Sequence, residues 1–270
     1  MKKALKLLWI VLILVFLYLP IFTLMVLSFN ESKSMFKWTG LSVRWYKEMF
    51  SDSQIMAAVW NTFSIAVMAA VISTIVGTLA CVGILAMTKK NQGFILALNN
   101  IPLLNADIVI GISLMLTFIA CGFYLNWGTV LFAHVTFCIP YVVLSVLPKL
   151  KQVGVTSYEA ALDLGATPVC AFRKVVMPEI MPGVISGVLL TFTMSVDDFV
   201  VTHFTRGAGI NTISTLIYSQ VKVGIRPTLF ALSALIFIIV LIVLVVVNIL
   251  GQRSPKDSLI YEISEIPQSG

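Results

Sequence analysis

The chain has 270 residues, of which 59% are hydrophobic and 11% charged, with a mean hydropathy of +1.01; a soluble domain carries about 25% charged residues. This composition excludes a soluble enzyme and leaves a multi-span membrane protein, in which spans of roughly 20 residues cap the count at about eight or nine. The net charge of +6 lies in polar segments beside apolar runs, which points to anionic lipid headgroups rather than nucleic acid.

Six apolar runs follow in chain order, at residues 7–29, 63–87, 101–121, 127–147, 183–204 and 228–250. The first follows Lys2, Lys3 and Lys6 and outlasts the 7–15 apolar residues of a cleavable signal, so it reads as a retained anchor. Six spans put both termini on one side of the membrane. With the N-terminus inside, cytoplasmic segments hold 11 Lys/Arg and external segments 7, a bias of the sign that the positive-inside rule requires. The first external loop contains an amphipathic stretch, residues 41–50, suited to the membrane interface. The expected architecture is an all-α integral membrane fold of six transmembrane helices over 1–250, with both termini cytoplasmic. A polar cytoplasmic tail over 251–270 completes it.

Several chemistries are missing. Cys81, Cys121, Cys138 and Cys170 form no CxxC pair, so a disulfide framework is not expected. Two histidines, His134 and His203, cannot build a multi-histidine metal centre, and no Ser/His/Asp arrangement has a readable spacing. No phosphate-binding loop of the G-x-x-x-x-G-K-[ST] type occurs. The chain is therefore expected to be no enzyme, to hold no cofactor and to use no ATP hydrolysed by itself.

The longest cytoplasmic loop, residues 148–182, carries helix punctuation that a plain connector does not need. Thr156 and Glu159 form a capping box that predicts a short helix. Gly165 predicts its stop, and Thr167-Pro168 the N-cap and first residue of a second helix ending near Pro178. Glu159 and Asp163 share one side of the first helix, while Ala160, Ala161 and Leu164 leave a low apolar ridge that another protein can approach. The alternative is a loop lying on the lipid surface.

Within the fifth span, Asp197 and Asp198 each cost about 2.5–3.5 kcal/mol on insertion scales, so such a pair is kept for a reason. On one continuous helix Thr191, Ser195, Asp198, Thr202 and Thr205 form a polar stripe. That stripe makes Asp198, with Ser195 and Thr202, the candidate lining of a water-filled path. The row Leu190, Thr193, Asp197, Val200 and Phe204 is mostly apolar, which turns Asp197 toward a neighbouring helix or subunit. Asp107 lies near the cytoplasmic end of the third span, within snorkelling reach of the headgroups, and His134 reads as a satisfied packing histidine. Intramembrane carboxylates favour a cationic cargo.

Glu159-Ala160-Ala161, Gly165 and Val175-Val176-Met177-Pro178 resemble the E-A-A-x3-G-x9-I-x-L-P loop of ABC importer permeases, with Val175 in place of Ile and Met177 in place of Leu. The resemblance implies the type I importer permease fold, and a coupling helix at Glu159, Ala160, Ala161, Gly165 and Pro178 that docks into a separate ATP-binding subunit. Residues 132–140, 195–201 and 221–224 look like the C-type permease subunits of spermidine/putrescine importers, a likeness running from about residue 18 to 250. Those subunits lead one to expect a proline before Asp107; Ala106 stands there and removes the usual cause of a kink in the third span. The implied function is a polyamine-importing permease subunit in the bacterial cytoplasmic (inner) membrane. Its implied partners are an ATPase dimer that binds the ATP, a second permease subunit and an extracytoplasmic substrate-binding protein. The acidic pair also admits another cation, such as ferric iron or thiamine. An ion-driven secondary carrier is the rival class, although no repeated halves with broken helices are legible.

Overall fold

The computed structural model describes residues 2–34, 37–153 and 156–251; most of the expected polar tail, 252–270, lies outside them. The described chain is helical: α1 (Lys2–Ser28), α2 (Arg44–Ser51), α3 (Ser53–Ala86), α4 (Lys89–Leu104), α5 (Asp107–Ala120), α6 (Trp127–Val153), α7 (Thr156–Asp163), α8 (Pro168–Ala171), a π-helical turn (Phe172–Val176), α9 (Met177–Asp197), α10 (Val200–Thr205), α11 (Ile213–Val223) and α12 (Pro227–Gly251). Among the described residues, four stretches are long and apolar enough to cross a bilayer: Leu5–Ser28, Ser53–Ala86, Trp127–Val153 and Pro168–Asp197. The α4–α5 pair passes the same test as one bent unit.

The chain divides into two compact units, Met1–Asp52 with Gly224–Gly270, and Ser53–Val223. In the first, α12 packs against α1 and α2. The apolar side chains of α1 stay exposed, which suits lipid or another subunit. The amphipathic stretch expected over 41–50 contributes α2, which buries Trp45 and Met49, each 1% exposed, while Leu41, Val43 and Phe50 stay exposed. The Trp45 indole Nε1 donates to the Asn30 carbonyl at 2.6 Å, and the Asn30 amide in turn holds the Lys37 carbonyl at 2.9 Å and the Thr39 N–H at 3.2 Å. The loop after α1 is thus tied to α2 by one buried indole and one buried amide.

The second unit is built on α3, α6 and α9, which pack on one another through small residues. Gly77 on α3 faces Val142 of α6, and Gly183 and Gly187 on α9 lie against the α6 backbone and side chains at Val142, Ser145 and Lys149. Without a solvent-driven hydrophobic effect between helices in lipid, close backbone approach of this kind supplies the packing energy. Cys81, Ile84, Val146, Leu150, Val176 and Ile180 fill the core between these helices.

Two helices expected to be continuous are broken. The third span, read as one run over 101–121 without the usual proline for a kink, is the α4–α5 pair bent by 107°. Asn105 and Ala106 are extended at the break, and Ala106 is the residue before α5; the bend needs no proline at that position. In the fifth span α9 ends at Asp197, Asp198 is extended with φ −62° and ψ 127°, and α10 restarts at Val200. Conversely, the second loop helix does not stop at Pro178. It runs through the π-turn into α9, whose first turn contains Pro178. A proline ring collides with the carbonyl four residues back in a regular α-helix, and the wider π-turn just before it relieves that crowding.

A Cβ on Gly183 would sit 2.9 Å from the Ser145 carbonyl oxygen, whereas one on Gly83 would meet nothing within 4 Å. Gly183→Val is therefore expected to destabilise the subunit by about 1–3 kcal/mol through overpacking. Gly83→Ala is expected to leave stability unchanged or slightly raised. Thermal unfolding of the detergent-purified protein distinguishes the two.

Candidate functional site

The two breaks meet. α5 packs against α10, with Gly111 of α5 close to Phe204 and to the Val200 backbone. Around the breaks lies a cavity of about 210 Å³ whose walls include Asp107, Asp197, Asp198, Tyr141, Phe137 and Phe199. Among the described residues, no Lys or Arg lines it. Asp107, expected near the cytoplasmic end of its span within reach of the headgroups, lines this cavity at the start of α5, just after the bend.

The two neighbouring aspartates have different surroundings. Asp197 is exposed and lines the cavity. Among the described residues neither it nor Asp107 has an ion pair. Asp198 is turned inward, its side chain 7% exposed. One of its oxygens accepts the Val201 N–H at 3.2 Å, and the other accepts the Thr202 N–H and the Thr202 hydroxyl, both at 2.8 Å. The carboxylate thereby serves the free amides at the start of α10. The expected orientations are corrected accordingly, since the 100° step between neighbours holds only on an unbroken helix. Both residues line the cavity, but the extended backbone at Asp198 leaves Asp197 exposed there while the Asp198 oxygens turn inward to the start of α10.

Behind Asp198 stands His134 of α6, 1% exposed. Its Nδ1 is 2.6 Å from the Ser195 hydroxyl and its Nε2 2.9 Å from the Thr202 hydroxyl and 3.5 Å from the Asp198 carboxylate. Because the Thr202 hydroxyl donates to Asp198, it accepts from Nε2–H, and Nδ1 is left to accept from Ser195. A neutral imidazole thus satisfies the whole chain. Thr191, Ser195, Thr202 and Thr205, expected to face water, are 0–4% exposed. They form a polar seam against α6, where Thr129 donates to the Thr205 carbonyl at 2.8 Å. His134 is the satisfied histidine that the sequence suggested. Its role in clasping the helix break had no signal in the sequence, since the contacts to Ser195 and Thr202 span 61 and 68 positions.

The cytoplasmic-loop residues form a second cluster. α7 ends at Asp163 and is stopped by Gly165, which has φ +87°. The Gly165 N–H reaches the Leu162 carbonyl at 2.8 Å and the Ala166 N–H the Ala161 carbonyl at 3.0 Å, a Schellman stop. The Thr167 hydroxyl then accepts the Cys170 N–H at 3.4 Å as the cap of α8. Glu159 and Ala160 are exposed, as are Leu164 and Val169, at 90% and 76%. Tyr158 and Phe172 pack against the α3–α6–α9 core, so the ridge is presented from a fixed base.

Residues 89–254 match the family described as binding-protein-dependent transport system inner membrane component. The chain is 39% identical over 229 residues to the putrescine transport system permease protein PotI of Escherichia coli K12, covering 82% of this chain and 81% of the relative. It is 35% identical over 223 residues to the spermidine/putrescine transport system permease protein PotC of the same organism, covering 83% and 84%. In fold it is similar, with a TM-score of 0.72 at 15% identity and coverage of 93% and 95%, to a chain in the crystal structure of a bacterial ABC transporter involved in the import of the acidic polysaccharide alginate. On the family match and these two relatives, the chain belongs to the binding-protein-dependent transport system inner membrane components, the membrane-embedded subunits of ABC importers.

Proposed function

We propose that this permease subunit imports polyamines of the putrescine and spermidine type. The observation that carries the reading is one cavity walled by Asp107, Asp197 and Asp198 with no basic side chain in its lining. Aliphatic oligoamines carry several ammonium groups that suit such a wall, and the names of the two relatives agree. In this reading Asp107 and Asp197 present charge to the cargo. Asp198, Ser195, Thr202 and His134 hold the break that puts Asp197 in place. The subunit performs no chemical step and binds no ATP. It pairs with a second, different permease subunit, receives cargo from an extracytoplasmic binding protein, and meets a dimer of ATP-binding subunits through Glu159, Ala160, Ala161 and Gly165, with Pro178 at the root of the following helix. In this reading the chain crosses the membrane six times and both termini are cytoplasmic.

Asp197→Asn removes a cavity charge and leaves the internal hydrogen bonds intact, so uptake of labelled putrescine and spermidine, normalised to assembled complex, should fall about tenfold or more. Asp198→Asn exchanges a carboxylate with three donors for an amide and should lower the unfolding temperature and the yield of complex as well as uptake. Wild-type uptake by both Asp107→Asn and Asp197→Asn would sink the cation-wall reading.

The positive φ at Gly165 makes a β-branched residue there cost about 1–2 kcal/mol in backbone strain, while asparagine tolerates the conformation. Gly165→Val should therefore insert normally but lose ATPase association and uptake. Gly165→Asn should retain both, and co-purification with the ATP-binding subunit reads the difference.

In a cysteine-free background, a cysteine at position 157 should react with an impermeant thiol reagent only after permeabilisation, and one at position 37 in intact cells. Labelling of position 157 from outside would reverse the proposed orientation.

A further inference from the structure

Next to the acidic cavity the chain carries an aromatic cluster with a cation already on it. Phe199, a wall of the cavity, lies against Tyr218 of α11 with ring centroids 4.5 Å apart and stacks on His203 at 5.3 Å. The His203 and Tyr218 rings meet edge to face at 5.9 Å. The Lys222 ammonium sits 4.5 Å from the centroid of the Tyr218 ring, and no ion pair among the described residues includes it. Arg206, the other nearby cation, is turned away to the Ile210 carbonyl and the Asn211 side chain. Tyr218 is 39% exposed, so displacement of the lysine would open its ring to solutes.

Lys222 and Tyr218 are one helical turn apart, and such pairs form readily on a helix surface. Here the ring does more than carry a surface pair, because it belongs to a three-ring cluster whose member Phe199 lines the same cavity as Asp197. The occupant is also chemically apt. A lysine side chain is a four-carbon chain ending in a primary ammonium, which is putrescine with one nitrogen replaced by the link to the backbone. An aromatic face that holds one will hold the other by the same attraction of a cation to the ring quadrupole.

We propose that Tyr218, backed by Phe199 and His203, is a station for the ammonium of an aliphatic amine beside the acidic cavity, and that Lys222 is a tethered competitor that occupies it until cargo displaces it. This rests on the polyamine reading above. The station hands the cargo from ring to carboxylate over the single residue Phe199, and the lysine keeps the ring covered by a cation when no cargo is present.

The test uses the complete importer in proteoliposomes, with putrescine-loaded binding protein at saturation, rates being taken per assembled complex. Tyr218→Leu keeps the apolar bulk but loses the π-face and should slow putrescine transport about two- to fivefold, the range that an exposed cation–π contact supports. Tyr218→Phe keeps the face and should restore the wild-type rate, which a merely structural role for the hydroxyl would not allow. Lys222→Gln should raise the rate by a similar factor, and should have no effect when combined with Tyr218→Leu. Equal rates for Tyr218→Leu and wild type, or slower transport by Lys222→Gln, would overturn the station. Absence of putrescine and spermidine transport by the wild-type complex would overturn the cargo reading and the station with it. Transport by wild type together with loss in Asp197→Asn and none in Tyr218→Leu would remove the station alone.

Discussion

A backbone amide without a partner inside a membrane costs several kcal/mol, which is why spanning segments are normally unbroken helices. The break between α9 and α10 leaves such amides at the start of α10, and the Asp198 carboxylate takes two of them, at Val201 and Thr202. The site depends on that exchange. Without it the helix would run on, Asp197 would rotate with its neighbours, and the cavity would lose a wall. The charge of Asp198 is in turn spread over two amides and a hydroxyl, with the His134 ring edge behind it, so the interior accepts a carboxylate that, among the described residues, has no Lys or Arg partner.

The rest of the second unit keeps this arrangement in register. Glycines at 77, 183 and 187 let α3, α6 and α9 approach closely, and α6 thereby brings His134 and Thr129 within hydrogen-bond distance of the two pieces of the fifth span. The bend at Asn105 and Ala106 does the same for Asp107, placing the first residue of α5 at the cavity. Two interruptions of regular structure thus concentrate three carboxylates in one place.

Much of this was legible in the sequence, and the failures share a cause. The apolar runs, the stop at Gly165, the cap at Thr167 and the identity of the acidic residues are local signals, and the loop motif is long enough to identify the family. Periodicity arguments assume a continuous helix, so the stripe from Thr191 to Thr205 was correct as a polar seam and misleading as to what it faces. Nothing local announces a break at Asp198-Phe199, because the residues that make it tolerable are a histidine 64 positions earlier and a hydroxyl four positions later. Pro178 misled in the opposite direction: proline predicts a stop, and the π-turn that lets the helix continue has no sequence signature. Trp45 and Met49 suited an interface equally well from either side, and only tertiary packing shows that they are buried within the protein.

The continuity through the π-turn has a mechanical side. From Pro168 to Asp197 the chain forms one rod of 30 residues, about 45 Å long at 1.5 Å per residue, rooted at the exposed loop and ending at the cavity. A tilt of about 5° about the loop end displaces the other end by about 4 Å on that length, comparable to the width of an alkyl chain. The widened turn at Phe172–Val176 lies close to the root, so the lever arm from there to Asp197 is almost the full length of the rod.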